Sequence, residues 1–250
     1  MKQNKPFHSL RLTIAFVALG LLALIAAQWS QPASAAPTAP TAVLSLANVS
    51  APDIKCVFDA DCTTIVDDTT SAFTFDLMTG SGFLQSRLWP RGQIGTAGAG
   101  LYPYPYRVDM SELVGPGNPA CITSLSLDFG PIVPLDYDGN GSLDQVFIVT
   151  SGGIGSVAPS SAELTGGQLT FNFSPPVCGD FSPAQDNGES TFFFGLASPF
   201  RDQEVTAKAT HNWGSDMLEL NARAPRFAEE PTLLVVPGNG LAGDEVQLIG

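Results

Sequence analysis

The sequence predicts an all-β fold, an antiparallel β-sandwich of the jelly-roll or immunoglobulin-like type. The first observation is that several short runs alternate apolar and polar residues, as in residues 123–129, where Leu125, Leu127 and Phe129 would share one face. The second is that glycine- and proline-rich turns separate these runs. The third is that no window after residue 35 keeps a helical period of apolar residues. Short strands at this spacing are typical of sandwiches and barrels.

The predicted sandwich domain covers residues 42–222 and follows a flexible lead-in rich in Ala, Pro and Thr at residues 36–41. Residues 42–47 are the first predicted strand. Residues 72–78 and 83–89 are predicted to pair as a hairpin around the glycine-rich turn between them. Later strands are predicted at residues 123–129, 145–150, 168–173, 190–197, 204–210 and 216–222. The run 190–197 is mostly apolar, which predicts a strand buried on both faces.

The segment Tyr102-Pro103-Tyr104-Pro105-Tyr106 predicts an extended edge strand, because a proline cannot donate a hydrogen bond to a neighbouring strand. Tyrosines at a spacing of two share one face. Tyr102, Tyr104 and Tyr106 are therefore candidates for a surface that stacks a sugar or a peptide. The alternative, which we favour, is that the three rings pack as scaffold, since aromatic stripes usually do.

The N-terminal segment has the three parts of a secretory signal peptide. Lys2, Lys5 and Arg11 make it positive, residues 14–27 are an apolar run of 14 residues, and residues 33–35 form a small-x-small cleavage site. An uncleaved membrane anchor is the alternative, but a span needs roughly 17–25 residues. We therefore expect a signal peptide over residues 1–35 and a protein that is secreted or held at the cell surface.

The chain is acidic. Its net charge is −13, and loss of the three positive charges of the signal peptide would lower it to −16. Such a surface repels nucleic acid and anionic membranes, so neither is expected as a partner after cleavage. A glycan or a surface protein remains open as a partner.

All four cysteines follow the predicted cleavage site. An even number of cysteines in an exported chain predicts disulfides, and four cysteines allow three pairings. We favour Cys56–Cys62, which would close a small local loop, and Cys121–Cys178, which would tie two strands together. A zinc site is disfavoured because there is no Cys-x-x-Cys spacing and only His211 remains after cleavage.

The segment Asp136-Tyr137-Asp138-Gly139-Asn140-Gly141-Ser142-Leu143-Asp144 is the strongest candidate for chemistry. It carries oxygen side chains at alternate positions, with two glycines that allow a tight loop. Hard cations such as Ca²⁺ need several converging oxygens, and carboxylates that close repel each other unless a cation lies between them. The sequence therefore predicts a calcium loop. The alternative is a turn that binds nothing, since Asp, Asn and Gly are favoured in turns anyway.

The pattern of this loop resembles known calcium loops. It resembles the EF-hand at five positions, but Phe147 stands where that family has a bidentate Glu, and the flanks have strand patterns. It also resembles the aspartate-rich repeat of dockerins and thrombospondin type 3 modules, of which the sequence has no second copy. With Phe129-Gly130 before it and residues 146–149 after it, the loop resembles one FG-GAP repeat of integrin-like propellers. A propeller needs several blades, so the resemblance implies only the loop between two strands. The ligands that it implies are the side chains of Asp136, Asp138, Asn140 and Asp144 and the carbonyl of Ser142.

The C-terminal part predicts a second, incomplete domain. Residues 223–230 have the composition of a linker, and residues 231–250 have two prolines, a glycine turn and two apolar runs. This segment resembles the opening of an IPT/TIG immunoglobulin-like domain. Because such a domain needs about seven strands, the resemblance implies that the natural chain continues beyond residue 250.

No catalytic constellation is marked in the sequence. Serine hydrolase chemistry needs a histidine base, and no Gly-x-Ser-x-Gly elbow accompanies His211. A glycosidase needs only two carboxylates, which this acidic chain has in plenty. We therefore expect a secreted, calcium-stabilised β module with a structural or adhesive role. The alternative is a secreted polysaccharide hydrolase or its accessory carbohydrate-binding module.

Overall fold

A computed structural model describes residues 39–182, 188–213 and 217–227. All of these residues except Ala39 belong to one compact unit, which begins at Pro40. The predicted signal peptide, the first part of the lead-in and the segment that resembles an immunoglobulin-like domain lie outside these residues.

The described residues form 14 strands and one short helix. The strands are β1 (Thr41–Leu44), β2 (Leu46–Ser50), β3 (Asp67–Phe73), β4 (Gly82–Leu88), β5 (Tyr102–Asp109), β6 (Val114–Pro116), β7 (Cys121–Asp128), β8 (Val146–Ser151), β9 (Ser161–Thr165), β10 (Gln168–Cys178), β11 (Asp180–Ser182), β12 (Phe194–Ser198), β13 (Asp202–His211) and β14 (Leu218–Pro225). The helix is α1 (Ala51–Cys56). Within the described ranges no helix is long and apolar enough to cross a membrane.

The strands form two six-stranded sheets, which confirms the predicted all-β sandwich. The first sheet has the order β1-β9-β10-β7-β13-β14 and is antiparallel throughout. The second has the order β2-β8-β12-β5-β4-β3 and is antiparallel except for the parallel pair β2 and β8. Strands β6 and β11 form a small parallel pair of their own.

The inner faces of the two sheets form the main core. Phe171 on β10 and Phe194 on β12 meet across it with ring centroids 4.6 Å apart, and the ring of Tyr104 on β5 lies 5.7 Å from that of Phe129. The alternation of Leu125 and Leu127 on β7 points both residues into this core, as the period of two predicts.

A second apolar cluster covers the outer face of the second sheet. We call it the outer cluster; its buried members are Ala47, Val49, Ile54, Val57, Phe58, Trp89, Leu135, Tyr137, Phe147, Val149, Phe193 and Ala197. On β8 the residues alternate between the two cores, with Val146 and Ile148 in the main core and Phe147 and Val149 in the outer cluster. Strand β12 is buried along its whole length, so burial on both faces is confirmed, but the strand covers Phe194–Ser198 and not residues 190–197 as predicted.

The N-terminal segment is split between the two sheets, unlike the single strand predicted at residues 42–47. Strand β1 joins the first sheet and β2 joins the second. The break falls at Ser45, whose backbone N–H and hydroxyl both donate to Oε1 of Gln145, at 2.8 and 2.6 Å. A side chain 100 residues away thus fixes the crossing, which a local pattern cannot show.

The predicted hairpin exists, but its first strand lies earlier in the chain than expected. Strand β3 pairs antiparallel with β4 from Asp67 to Phe73, so the turn covers residues 74–81. The pattern of apolar residues does not predict the polar start of this strand, where Asp68 stands opposite Arg87 and forms an ion pair with it at 2.7 Å. A cross-strand ion pair replaces apolar packing there.

The expectation that residues 102–106 form an edge strand is wrong. Strand β5 lies inside the second sheet, between β12 and β4. Successive residues of a strand direct their backbone groups to opposite neighbours, so two alternate prolines remove donors from one side only. Strand β4 pairs with β5 only from Tyr106 onward, beyond both prolines. The sheet therefore tolerates the prolines by leaving that half of β5 with a single partner.

The predicted linker begins too early. Residues 223–225 belong to β14, where Arg223 pairs with Glu204 of β13 and Pro225 with Asp202. The described sandwich therefore extends three residues beyond the predicted boundary at residue 222.

Candidate metal loop at residues 136–144

The candidate loop lies in the connection from β7 to β8. Its base is closed by a two-way backbone pair, in which Leu135 N–H donates to the Asp144 carbonyl at 2.9 Å and Asp144 N–H donates to the Leu135 carbonyl at 2.8 Å. The loop joins strands of different sheets, because β7 belongs to the first sheet and β8 to the second. The strands expected on both sides are present, but they are not neighbours in one sheet.

Side-chain oxygens inside the loop hold its backbone. Oδ1 of Asp138 accepts a hydrogen bond from Asn140 N–H at 3.1 Å, and Oδ1 of Asn140 accepts one from Ser142 N–H at 2.7 Å. Oδ2 of Asp136 accepts one from Gly141 N–H at 3.0 Å. Gly139 and Gly141 both have positive φ, 75° and 88°, which allows the turn. The spacing predicted from sequence therefore corresponds to a closed, internally bonded loop.

The loop is anchored in the outer cluster by Leu135 and Tyr137, the residues on either side of Asp136. Leu135 and Tyr137 are buried, whereas Asp138 and the five residues after it are exposed. The ring of Tyr137 lies 5.2 Å from that of Phe147 and 6.5 Å from that of Phe58. Burial raises the pKa of the Tyr137 phenol, which therefore stays neutral. The position of Asp136 is fixed by packing on both sides of it.

Two buried oxygens of the loop, Oδ1 of Asp136 and the hydroxyl of Tyr137, have no hydrogen-bond partner among the described residues. Oδ1 of Asp136 is buried and accepts no hydrogen bond from a described residue. A buried polar atom without a partner is uncommon and calls for an explanation such as a bound ion or a water. Across the described ranges, however, no three acidic, histidine or cysteine side chains are grouped closely enough to hold a metal, so Asp136, Asp138 and Asp144 do not converge on one point. Calcium binding stays a prediction.

A cleft of about 370 Å³ lies beside the loop, and one of its acids was not predicted from the sequence. Asp136 and Asp138 line it together with Asp53 of α1. The Ser50 hydroxyl caps this helix by accepting from Asp53 N–H at 3.2 Å and donates to Asp53 Oδ2 at 2.5 Å. The sequence signal for this arrangement is the Ser-x-x-Asp spacing of a helix N-terminus, at Ser50 and Asp53, which is not part of any strand pattern.

Both predicted disulfides are present. Cys56, the last residue of α1, is bonded to Cys62. Cys121 and Cys178 are directly opposite residues of β7 and β10, and their bond ties these strands together. The described residues contain no free cysteine, so the predicted pairing is confirmed and a zinc site is excluded for these four thiols.

The three tyrosines do not form one stacking surface. Tyr104 and Tyr106 are 1% and 0% exposed. Their hydroxyls donate to the carbonyls of Phe200 at 2.7 Å and Arg223 at 2.6 Å. The packed interpretation holds for these two, and the ligand-stacking assignment is wrong for them because both rings are covered by the other sheet. Tyr102 is only partly buried and keeps an accessible side.

His211 has a structural position. Its ring packs edge-on against Phe75 with centroids 5.0 Å apart, and its Nδ1 accepts a hydrogen bond from Trp213 N–H at 3.1 Å. Within the described part of the chain no serine or cysteine nucleophile is hydrogen-bonded to it.

Comparisons of the chain with protein families, curated proteins and solved structures found no match.

Proposed function

We propose that this chain is a secreted, calcium-stabilised β module with a structural or adhesive role, and that the loop at residues 136–144 binds the ion. The observation that carries the proposal is the buried Oδ1 of Asp136, which no donor from a described residue satisfies. A cation is the natural partner of a carboxylate oxygen that is fixed in place and receives no hydrogen bond.

The donor set fits a hard cation. Carboxylate, amide and carbonyl oxygens from Asp136, Asp138, Asn140, Ser142 and Asp144 are the ligand types that Ca²⁺ takes. The internal hydrogen bonds leave lone pairs free, because each oxygen accepts a single bond from the loop. Calcium would neutralise the repulsion between the three carboxylates when they close on it. Water would complete the shell, since Phe147 cannot supply the bidentate ligand of an EF-hand.

Calcium would act through the outer cluster. Leu135 and Tyr137 alternate with the acids and pack beneath the loop, so an ion that fixes the loop also fixes this part of the outer cluster. Extracellular modules bind calcium at roughly 10⁻⁴–10⁻³ M. Binding to the folded state alone at ten times the dissociation constant adds about 1.4 kcal/mol of stability. For a domain of this size that corresponds to a rise in melting temperature of about 3–6 °C.

The test is thermal melting with and without millimolar calcium, paired with isothermal titration. Asp138→Asn should strongly reduce the calcium shift, because it removes one of the three ligand charges while the amide oxygen can still accept the turn hydrogen bond from Asn140 N–H. The matched control is Asp128→Asn, which removes an exposed charge at the end of β7, outside the loop. Unchanged melting and no titration heat in the wild-type protein would end the proposal.

Export is the second part of the proposal. Two disulfides are compatible with an extracellular protein, because such bonds persist in oxidising compartments. The signal-peptide pattern predicts that the full chain, expressed in a secreting host, appears in the medium with its N-terminus at residue 36. Retention inside the host with an intact N-terminus would contradict this part alone.

A further inference from the structure

A groove runs along the seam where the two sheets meet. Its first part is a cavity of about 460 Å³ beside β4 and β5, and its second part is a cavity of about 410 Å³ beside β3, β13 and β14. Asp202 lines both parts. Arg223, which lines the second part, pairs with Asp67 in the wall of the first at 2.9 Å. The two cavities are therefore neighbours along one seam.

The first part combines an apolar floor with two arginines and two carboxylates. The carboxylates of Asp67 and Asp202 are both paired with Arg223, at 2.9 and 3.8 Å. Leu88, Trp89 and Tyr102 line it, and the guanidinium of Arg201 lies 6.0 Å from the ring centre of Tyr102. Arg91 lines the same cavity, and its Nε donates to the Gly100 carbonyl at 2.8 Å, which holds the guanidinium in place. Among the described residues neither arginine forms an ion pair with a carboxylate, although the chain as a whole carries a net charge of −13.

The second part is lined by polar side chains. Thr69, Thr70, Glu204 and Asn221 supply hydroxyl, carboxylate and amide groups along it. These groups both donate and accept hydrogen bonds, as the hydroxyls of a sugar do. An extended ligand with an anionic, partly apolar unit at one end and hydroxyl groups further along would match the two parts in order.

A peptide strand fits this seam less well than a sugar. A peptide would add to the open edge of β14 through backbone hydrogen bonds. Two N–H groups of that edge are already used, because Asn221 N–H donates to the Ser71 hydroxyl at 3.0 Å and Arg223 N–H donates to the Ser86 hydroxyl at 3.3 Å. The groove therefore offers side chains, and not a free strand edge, to its ligand.

We propose that the seam groove binds an acidic polysaccharide. One uronate carboxylate pairs with Arg91 and Arg201, the apolar face of that sugar packs beside Tyr102, and the following sugars place their hydroxyls along Thr69, Thr70 and Asn221. A guanidinium is suited to this role because its planar donors match a carboxylate. The inference goes beyond the calcium-stabilised module proposed above, since no residue of the 136–144 loop lines the groove.

The test is isothermal titration of the folded protein with a hexameric oligogalacturonate, with a dimer of the same sugar and with a neutral gluco-hexaose. The acidic hexamer should bind more tightly than the dimer, because only the hexamer reaches the second part. The neutral hexaose should bind weakly or not at all. Raising the salt concentration from about 50 to about 300 mM should lower the affinity for the acidic hexamer, because exposed charge pairs are screened.

Arg201→Gln and Arg91→Gln should each lower the affinity for the acidic hexamer by roughly three- to tenfold, since each removes one charge-assisted contact in a partly exposed site. The control is Lys208→Gln, which removes an equal charge from an exposed position on β13 and should change the affinity less than twofold. Melting curves establish that each variant folds. Asp138→Asn in the calcium loop should leave the affinity unchanged, which separates this proposal from the previous one.

Three results would overturn the proposal. The first is the absence of binding at millimolar oligogalacturonate. The second is an equal loss in Lys208→Gln and Arg201→Gln, because the effect would then come from net charge alone. The third is equal or tighter binding of a polyglutamate peptide, which would assign the groove to acidic peptides.

Discussion

Removing the Cys121–Cys178 disulfide should destabilise the sandwich more than removing the Cys56–Cys62 disulfide. The perturbation is a pair of double variants, Cys121→Ala with Cys178→Ala, and Cys56→Ala with Cys62→Ala. The first bond joins directly opposite residues of two adjacent strands and closes a separation of 57 residues. The second closes a separation of only 6 residues.

The magnitude follows from the entropy that each crosslink removes from the unfolded chain. With these separations of 57 and 6 residues, loop-closure entropy amounts to about 4 kcal/mol for Cys121–Cys178 and about 2 kcal/mol for Cys56–Cys62. The expected difference of about 2 kcal/mol is a large share of the stability of an ordinary domain.

The assay is urea unfolding at neutral pH, followed by fluorescence, with the slope of the transition compared between variants. Wild-type protein reduced with dithiothreitol gives the sum of both effects without changing any side-chain volume. Equal midpoints for the two double variants, or a lower midpoint for the variant without Cys56–Cys62, would refute the entropic reasoning. The short bond would then act through the packing of α1 in the outer cluster.

Three further predictions concern the core and one ion pair. Tyr106→Phe should cost about 1 kcal/mol of unfolding free energy in urea titration, because a buried hydroxyl that donates to the Arg223 carbonyl is lost; an unchanged midpoint would contradict this. Gly195→Ala should cost about 1–3 kcal/mol by overpacking, since its new Cβ would lie 2.5 Å from a backbone carbonyl oxygen of β5; a more stable variant would show that the strands can move apart. Hydrogen bonds from Arg87 hold the pKa of Asp68 below its usual value. This carboxylate therefore contributes its full stability above its unfolded pKa of about 4, and the contribution is lost as the pH falls through the lower folded pKa. Asp68→Asn should therefore flatten the fall of the urea midpoint below about pH 4, and a slope equal to that of the wild type would refute the link.

The fold class was predictable because alternation is a local property. On β7, Leu125 and Leu127 alternate with serines, and that pattern alone places one face in the core. The disulfide pairing followed from simple proximity along the chain for Cys56 and Cys62 and from elimination for the other two. The layout of the 136–144 loop followed from turn chemistry, which is equally local.

The errors arose where long-range contacts decide. Ser45 breaks the first strand because Gln145 bonds to it, and β3 begins at Asp67 because Arg87 and Arg223 supply charges from other strands. The interior position of β5 depends on where β4 happens to stop pairing. The seam groove is invisible in the sequence for the same reason, since the two arginines of its first part lie 110 residues apart, at positions 91 and 201.

The split of the N-terminal segment between β1 and β2 has a consequence for the order of folding. Strand β2 pairs with β8 about 100 residues later, and β1 pairs with β9, where Thr41 meets Thr165. Residues that leave the ribosome early must therefore wait for the middle of the chain before they can pair. Contacts of such long sequence separation slow folding, because loop-closure entropy opposes each of them until the other strands are in place. Until then both sheets have an unpaired edge at β9 and β8, and a chaperone that shields these two strands would protect the chain at its most aggregation-prone stage.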